Sequence, residues 1–391
     1  MLEILPLIDQ SKEKDMSFQK GAATFRVFSS GKDIGESIQE GLRAFAYKTL
    51  PTEGEQDGPL FDITRGVSLM GTGAPPPVEF VYGGNTFFAI RKREKIINPA
   101  LVKECLSYLI DKDFKETGKA PWGKRKKELK ETARDMAKGE GVLKIGGTRV
   151  VIIPNTKFLL MDATSVSKVD DALNFLISGP LPDYTLIQIT PEVLYAYLAK
   201  KESSQYQPIK VFEKSLTTGV GVDFLTWLWA ISENDSEGGN GDKINVSLCG
   251  DISFRCDESG TAGSQITKLS KGAPWNGDEP KAAFEDGKKV SSATFRFCKG
   301  TDVFETTLDE SLLFNKFKRI LEEEDEDAET DDSKDGKKKS KKRTINPEES
   351  FSDRIIDMKA GADIVIELFK RFVAAGDKVQ KNVDDWMTSK W

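Results

Sequence analysis

The sequence predicts an α+β protein with mainly antiparallel sheets and packed helices. Three observations carry this. Short alternating strand patterns recur along the chain, many are joined by tight hairpins rather than by crossover helices, and amphipathic helices are interspersed among them.

The first strand is expected at Ala22–Ser29, where Ala23, Phe25 and Val27 alternate with Thr24, Arg26 and Phe28. A helix follows, with Ile34, Ile38, Leu42 and Phe45 at helical spacing. Residues 50–60 and 71–77 are turn-rich. Phe80–Tyr82 and Thr86–Ile90 read as two strands about a Gly83-Gly84-Asn85 turn. Asn98 caps a helix that has Pro99 at its first position and an apolar stripe of Leu101, Val102, Cys105, Leu106 and Leu109. A second helix is expected over Lys124–Lys138, its core flank formed by Leu129, Ala133, Met136 and Ala137.

Strands are then expected at Thr148–Ile153 and Lys157–Asp162, joined through Pro154-Asn155-Thr156. Ser167 is expected to cap a helix with Val169, Ala172, Leu173 and Leu176 on one face. Tyr184–Ile189 reads as a strand, and Thr190-Pro191 starts another helix. Phe224–Ile231 is a buried helix, and Ser232–Asp242 a glycine-rich loop. Further strands fall at Ile244–Cys249, Ile252–Cys256, Thr294–Cys298 and Val303–Thr307. A last amphipathic helix covers about Ser350–Ala375, with Phe369 and Phe372 burying it against the same chain or a second copy.

The domain reading is an extension at 1–18, an α+β region with the basic helix at 19–202, and a second α+β region at 203–321. A charged linker, read as disordered, follows at 322–349, then a C-terminal helix and tail at 350–391.

Composition removes whole classes of chemistry. The 391 residues include no histidine, so histidine-based triads and histidine-ligated metals are excluded. The four cysteines form no C-x-x-C pair and read as reduced thiols. No phosphate-cradling glycine motif or nucleophile elbow is present. Asp162, Asp183 and Glu192 are the carboxylates a magnesium nuclease would use, but surface and capping roles suit them better. No cofactor is expected. No apolar run is long enough to span a bilayer, so a cytoplasmic protein without a membrane partner is expected.

The formal charge is −6, so any field for nucleic acid must be local. Two basic sets stand out. Arg91, Lys92, Arg93 and Lys95 end a strand, whose alternation puts Arg91, Arg93 and Lys95 on one face. Lys124, Arg125, Lys126, Lys127, Lys130 and Arg134 lie on the basic helix. There Lys126, Lys130, Arg134 and Lys138 step by four into a stripe that can track phosphates. Residues 337–343 add a third basic run, after an acidic block.

The stretch Ala89-Ile90-Arg91-Lys92-Arg93-Glu94-Lys95-Ile96-Ile97-Asn98-Pro99-Ala100-Leu101-Val102 resembles the recombination-associated RdgC family. The Lys124–Lys138 helix, Phe158–Asp162 and Ala163–Leu176 follow in a similar order. Phe224-Leu225-Thr226-Trp227-Leu228-Trp229 is similar to a segment of longer members, and Phe351–Phe372 to the C-terminal helix. In all, the resemblance runs over roughly residues 20–375, with departures in the N-terminal extension, the loop at 232–242 and the charged block at 322–343.

The resemblance implies a curved, multi-lobed monomer of a ring-shaped homodimer that encircles double-stranded DNA without sequence preference. It also implies antagonism of RecA recombinase and association with the nucleoid. An exonuclease label is sometimes attached to the family, but the residues offer no catalytic constellation to support it, so no enzymatic role is expected. The two basic sets would then be the phosphate contacts.

Overall fold

A computed structural model describes residues 18, 21–35, 38–46, 60–65, 80–138, 142–211, 219–234, 244–256, 265–320 and 347–391. The turn-rich segments at 50–59 and 71–77, the loop at 235–242, the charged block at 322–343 and nearly all of the expected extension lie outside the described residues. Phe18, at the end of that extension, is buried in the larger core.

The strands are β1 (Ala23–Ser29), β2 (Leu60–Arg65), β3 (Val81–Tyr82), β4 (Asn85–Ile96), β5 (Val142–Ile152), β6 (Phe158–Met161), β7 (Ile187–Gln188), β8 (Ile244–Cys256), β9 (Gln265–Leu269), β10 (Lys289–Lys299), β11 (Asp302–Asp309) and β12 (Phe314–Ile320). Among the described residues they form one sheet in the order β2-β4-β5-β6-β1-β12-β11-β10-β8-β9, with β3 on β4 and β7 on β1. Every strand pair in it is antiparallel, as the hairpin-rich sequence predicts.

The helices are α1 (Ile38–Ala44), α2 (Pro99–Thr117), α3 (Gly123–Lys138), α4 (Val166–Ser178), α5 (Pro191–Ala199), α6 (Val220–Asn234), α7 (Glu279–Glu285), α8 (Pro347–Ala375) and α9 (Lys378–Lys390). None of the described helices is long and apolar enough to cross a membrane.

Two cores lie on opposite faces of the strands from β1 to β6. Phe87, Val151, Leu160 and Val27 join the larger core. Their neighbours Phe88, Val150, Leu159 and Phe28 join the smaller one, with α1 and α4. Successive strand side chains point to opposite faces, so a strand covered on both sides reads as an unbroken apolar run. Arg26 on β1 is the exception that burial tolerates. Its guanidinium donates to Ala163 O at 3.2 Å and to Ser311 Oγ at 2.8 Å. Burial pushes its pKa down.

The larger core gathers α6, α8 and α9. Phe369 and Phe372 are buried within this chain, their rings 4.9 and 5.6 Å from that of Phe224. Of the two placements expected for them, the structure therefore shows packing in cis. Gly221 on α6 lies so close to Glu310 that an added Cβ would fall 1.9 Å from its carbonyl oxygen. Just beyond it, Asp223 and Lys289 form a fully buried ion pair of 2.6 Å. The pair is completed by the Tyr206 hydroxyl and Ile209 N–H donating to Asp223, and by Lys289 donating to Ile209 O. Removing one partner of such a pair typically costs about 3–5 kcal/mol.

Several expectations need correction. The cap of α4 is Ser165, which accepts from Lys168 N–H, rather than Ser167. Of Tyr184–Ile189 only Ile187–Gln188 pairs as strand, since β1 offers it an edge only at Phe28 and Ser29. The two strands read at 244–249 and 252–256 are one strand, β8, whose pairing with β10 shifts register twice. The tail after 375 holds a further helix, α9, which Val379, Val383 and Trp386 bury in the larger core. Strands β2, β9 and β12 and helix α7 had no sequence expectation.

Candidate nucleic-acid interface

Strand β4 carries the first basic run between β2 and β5, and β2 decides its fate. Asp62 of β2 stands directly opposite Arg91 in the register. Arg91 Nε lies 2.8 Å from Asp62 Oδ1, and Arg93 Nη2 lies 2.6 Å from Asp62 Oδ2. Both arginines are buried, at 3% and 7% exposure. The predicted alternation holds, but the face it selects points into the protein. In this conformation Arg91 and Arg93 present little surface to a phosphate, unlike the exposed cations expected.

Lys92 points the other way and is half-exposed. Its ammonium lies 2.7 Å from Asp171 Oδ2 and 5.7 Å from the centre of the Phe61 ring. The Asp171 hydrogen bond holds its pKa above the ordinary lysine value. The side chain of Lys95 lies outside the described residues.

The second run has the opposite setting. Helices α2 and α3 are inserted between β4 and β5 and pack chiefly on one another. Asn98 opens α2, its Oδ1 accepting from Ala100 N–H at 2.9 Å, with Pro99 at the first turn. Gly118, at φ 65, closes it by donating to Phe114 O. Four residues later α3 returns along it. Leu129, Ala133 and Ala137 face inward as expected, whereas Met136 is exposed at 48%. The small alanines let the helices approach without filling that flank.

Seven basic and three acidic side chains stand on α3, a local charge of +4 in a chain whose total is −6. Lys124, Lys126, Lys127, Lys130 and Arg134 are exposed, and among the described residues no ion pair holds them. Arg125 is instead tethered. Its Nε and Nη2 reach the buried Asp113 at 2.9 and 2.7 Å, which raises its pKa and fixes the start of α3 on α2. Lys138 is half-buried and 3.1 Å from Asp135, so the open stripe is Lys126, Lys130 and Arg134.

Sequence reasoning missed three aromatic side chains on this hairpin. Trp122, Tyr108 and Phe114 are exposed at 85%, 60% and 53%. The available signal was Trp122 standing two residues before the Lys124-Arg125-Lys126-Lys127 run.

The carboxylates considered for metal chemistry are not gathered. Asp162, at the end of β6, accepts from Arg149 N–H at 2.6 Å and lies 3.3 Å from Arg149 Nη1. Burial pushes its pKa up to about 6 against those interactions. Asp183 and Glu192 are exposed. Among the described residues, no group of three or more Cys, Asp or Glu is placed to hold a metal ion.

The family described as "Putative exonuclease, RdgC" matches residues 70–193, about a third of the chain and a narrower span than the resemblance above. No curated protein matches. The matched span holds both basic runs, the α2–α3 hairpin and the strands that support it, so this part of the chain is similar to the RdgC family.

Proposed function

We propose that the protein binds double-stranded DNA without sequence preference, holds it rather than cuts it, and acts in recombination. The observation that carries this reading is the stripe of exposed, unpaired cations on α3, within the span that matches the family. Side chains at four-residue spacing present charge along one line, which suits the regular phosphates of a duplex and carries no base readout. The acidic total is compatible with this, because a local field suffices for phosphate contact.

The finer reading is a ring-shaped homodimer that encircles the duplex, limits access of RecA recombinase and resides on the nucleoid. The exposed Trp122, Tyr108 and Phe114 support a contact with a second copy, since large aromatic side chains are enriched at such interfaces. A ring also gains hold from closure, so modest phosphate contacts suffice.

The test is retention on closed circular against linear duplex, with the solution mass measured in parallel. A ring dissociates more slowly from the circle, because a linear duplex has ends to slide off. Equal dissociation from both would overturn the ring, and no duplex affinity at low salt would overturn DNA binding.

A nuclease is the second reading, favoured by the family's description. Magnesium-dependent cleavage of a labelled duplex, abolished by Asp162→Ala, would establish it in place of the holding role.

A further inference from the structure

A groove lies at the root of the hairpin, where β4 and β5 run toward α2 and α3. Its cavity is about 200 Å³. That is below the roughly 300–1,000 Å³ of sites that bury a drug-sized ligand, so it suits one small group. Its floor is the sheet at Ile90 and Thr148, which are register partners, and its wall is the first turn of α4 at Ser167 and Lys168.

Three features make this groove a receptor for an anion. The first is the end of a 13-residue helix. The Ser165 cap takes the Lys168 N–H, and the first-turn N–H groups of Val166 and Ser167 have no partner within the helix. The second is Thr148. It is only 4% exposed and lines the cavity, yet its hydroxyl makes no hydrogen bond among the described residues. The hydroxyl oxygen is not fully enclosed, so it is open to a partner in the cavity that Thr148 lines. The third is charge: Lys144 and Lys168 line the groove without an ion-pair partner among the described residues. Of the two lining carboxylates, Asp171 is already engaged by Lys92, and Glu94 stands exposed.

Gly146 keeps the space open. It stands opposite Lys92 in the register, and a Cβ added to it would meet nothing within 4 Å.

We propose that this groove binds a phosphate group, held by the first turn of α4, the Thr148 hydroxyl and the ammonium groups of Lys144 and Lys168. The group is either free phosphate or a backbone phosphate of the duplex. The site goes beyond the duplex reading and does not rest on the α3 stripe.

Calorimetric titration of the full chain with inorganic phosphate tests it, with Gly146→Leu to fill the groove and Thr148→Val to remove the hydroxyl. Phosphate binding is expected to disappear in the first variant and to weaken about tenfold in the second, the loss of one hydrogen bond to a charged group. The triple variant Lys126→Ala, Lys130→Ala, Arg134→Ala is expected to keep it, whatever that variant does to duplex affinity. If a short duplex competes with phosphate, the occupant is the DNA backbone; if it does not, the occupant is free phosphate. No binding by the unaltered chain at millimolar phosphate, or unchanged binding in Gly146→Leu, would overturn the site. Should Gly146→Leu fail to fold, unchanged binding in Thr148→Val has the same force.

Discussion

The two basic runs are alike in composition and opposite in fate. Arg91 and Arg93 sit on a strand flanked on both edges, and inside the protein both pair with Asp62 on the neighbouring strand. Lys126, Lys130 and Arg134 sit on a hairpin that packs mainly on itself, and they meet solvent. Charge density in a sequence therefore does not identify a binding surface. What decides is whether the element has a covered face, and which face the register gives to the charges.

The largest expected effect tests the buried run. Asp62→Ala leaves two guanidinium groups without their carboxylate and should cost about 3–5 kcal/mol in denaturant unfolding. Converting Asp62, Arg91 and Arg93 together to Leu, Met and Met should restore much of that loss. A loss below about 1 kcal/mol for Asp62→Ala would mean that the arginines reach water, and the contrast between the runs would fail.

Next comes the exposed run. Replacing Lys126, Lys130 and Arg134 by Ala should flatten the dependence of log K on log salt by up to roughly 2.7, at about 0.9 per phosphate contact. Stability should change little, since none of the three is held by an ion pair. An unchanged salt slope would exclude α3 as the contact.

A third prediction concerns Asp162, next to the same strands. Its folded pKa is raised to about 6 by burial, so between pH 4 and 6 the native state binds more protons than the unfolded chain. Its contribution to stability is present at low pH and is lost as pH rises through about 6. Relative to Asp162→Asn, the unaltered protein should lose up to about 3 kcal/mol across that window. A flat difference between the two would mean that Arg149 fully compensates the burial.

The smallest effect belongs to Lys92, the outward member of the buried run. Its pair with Asp171 is about one-third exposed on both sides, so Lys92→Ala should cost about 0–1 kcal/mol. A larger loss would place Lys92 with its buried neighbours.

Much of the architecture is legible in the sequence because it rests on local rules. The Asn98-Pro99 start of α2, the Gly83-Gly84-Asn85 turn and the apolar α6 all follow from cap, turn and burial chemistry. Strand β12 is harder to read: its side chains alternate among Phe, Lys and Arg, and its identity comes from pairing with β1 and β11. Helix α9 is short and mostly polar, and only Val379, Val383 and Trp386 dock it. The site divides the same way. The α3 stripe follows from spacing along one helix. The burial of Arg91 and Arg93 depends on Asp62, which lies 29 residues earlier on a strand the periodicity did not reveal. The groove at Thr148 joins β4, β5 and α4, and no local pattern announces it.

The place of β1 has a consequence for synthesis. It lies inside the sheet, with β6 on one edge and β12 and β7 sharing the other. Thr24 bonds to Asn315, 291 residues later. At about 5–20 residues per second, a ribosome takes roughly 15–60 s to make that intervening chain. Throughout that interval one of the earliest strands is outside the ribosome with half of an edge unpaired. The first half of the sheet must stay in solution as an incomplete surface until its other half arrives. During that time the nascent chain is open to mispairing with a neighbour on the same message, and slow growth would lengthen the exposure.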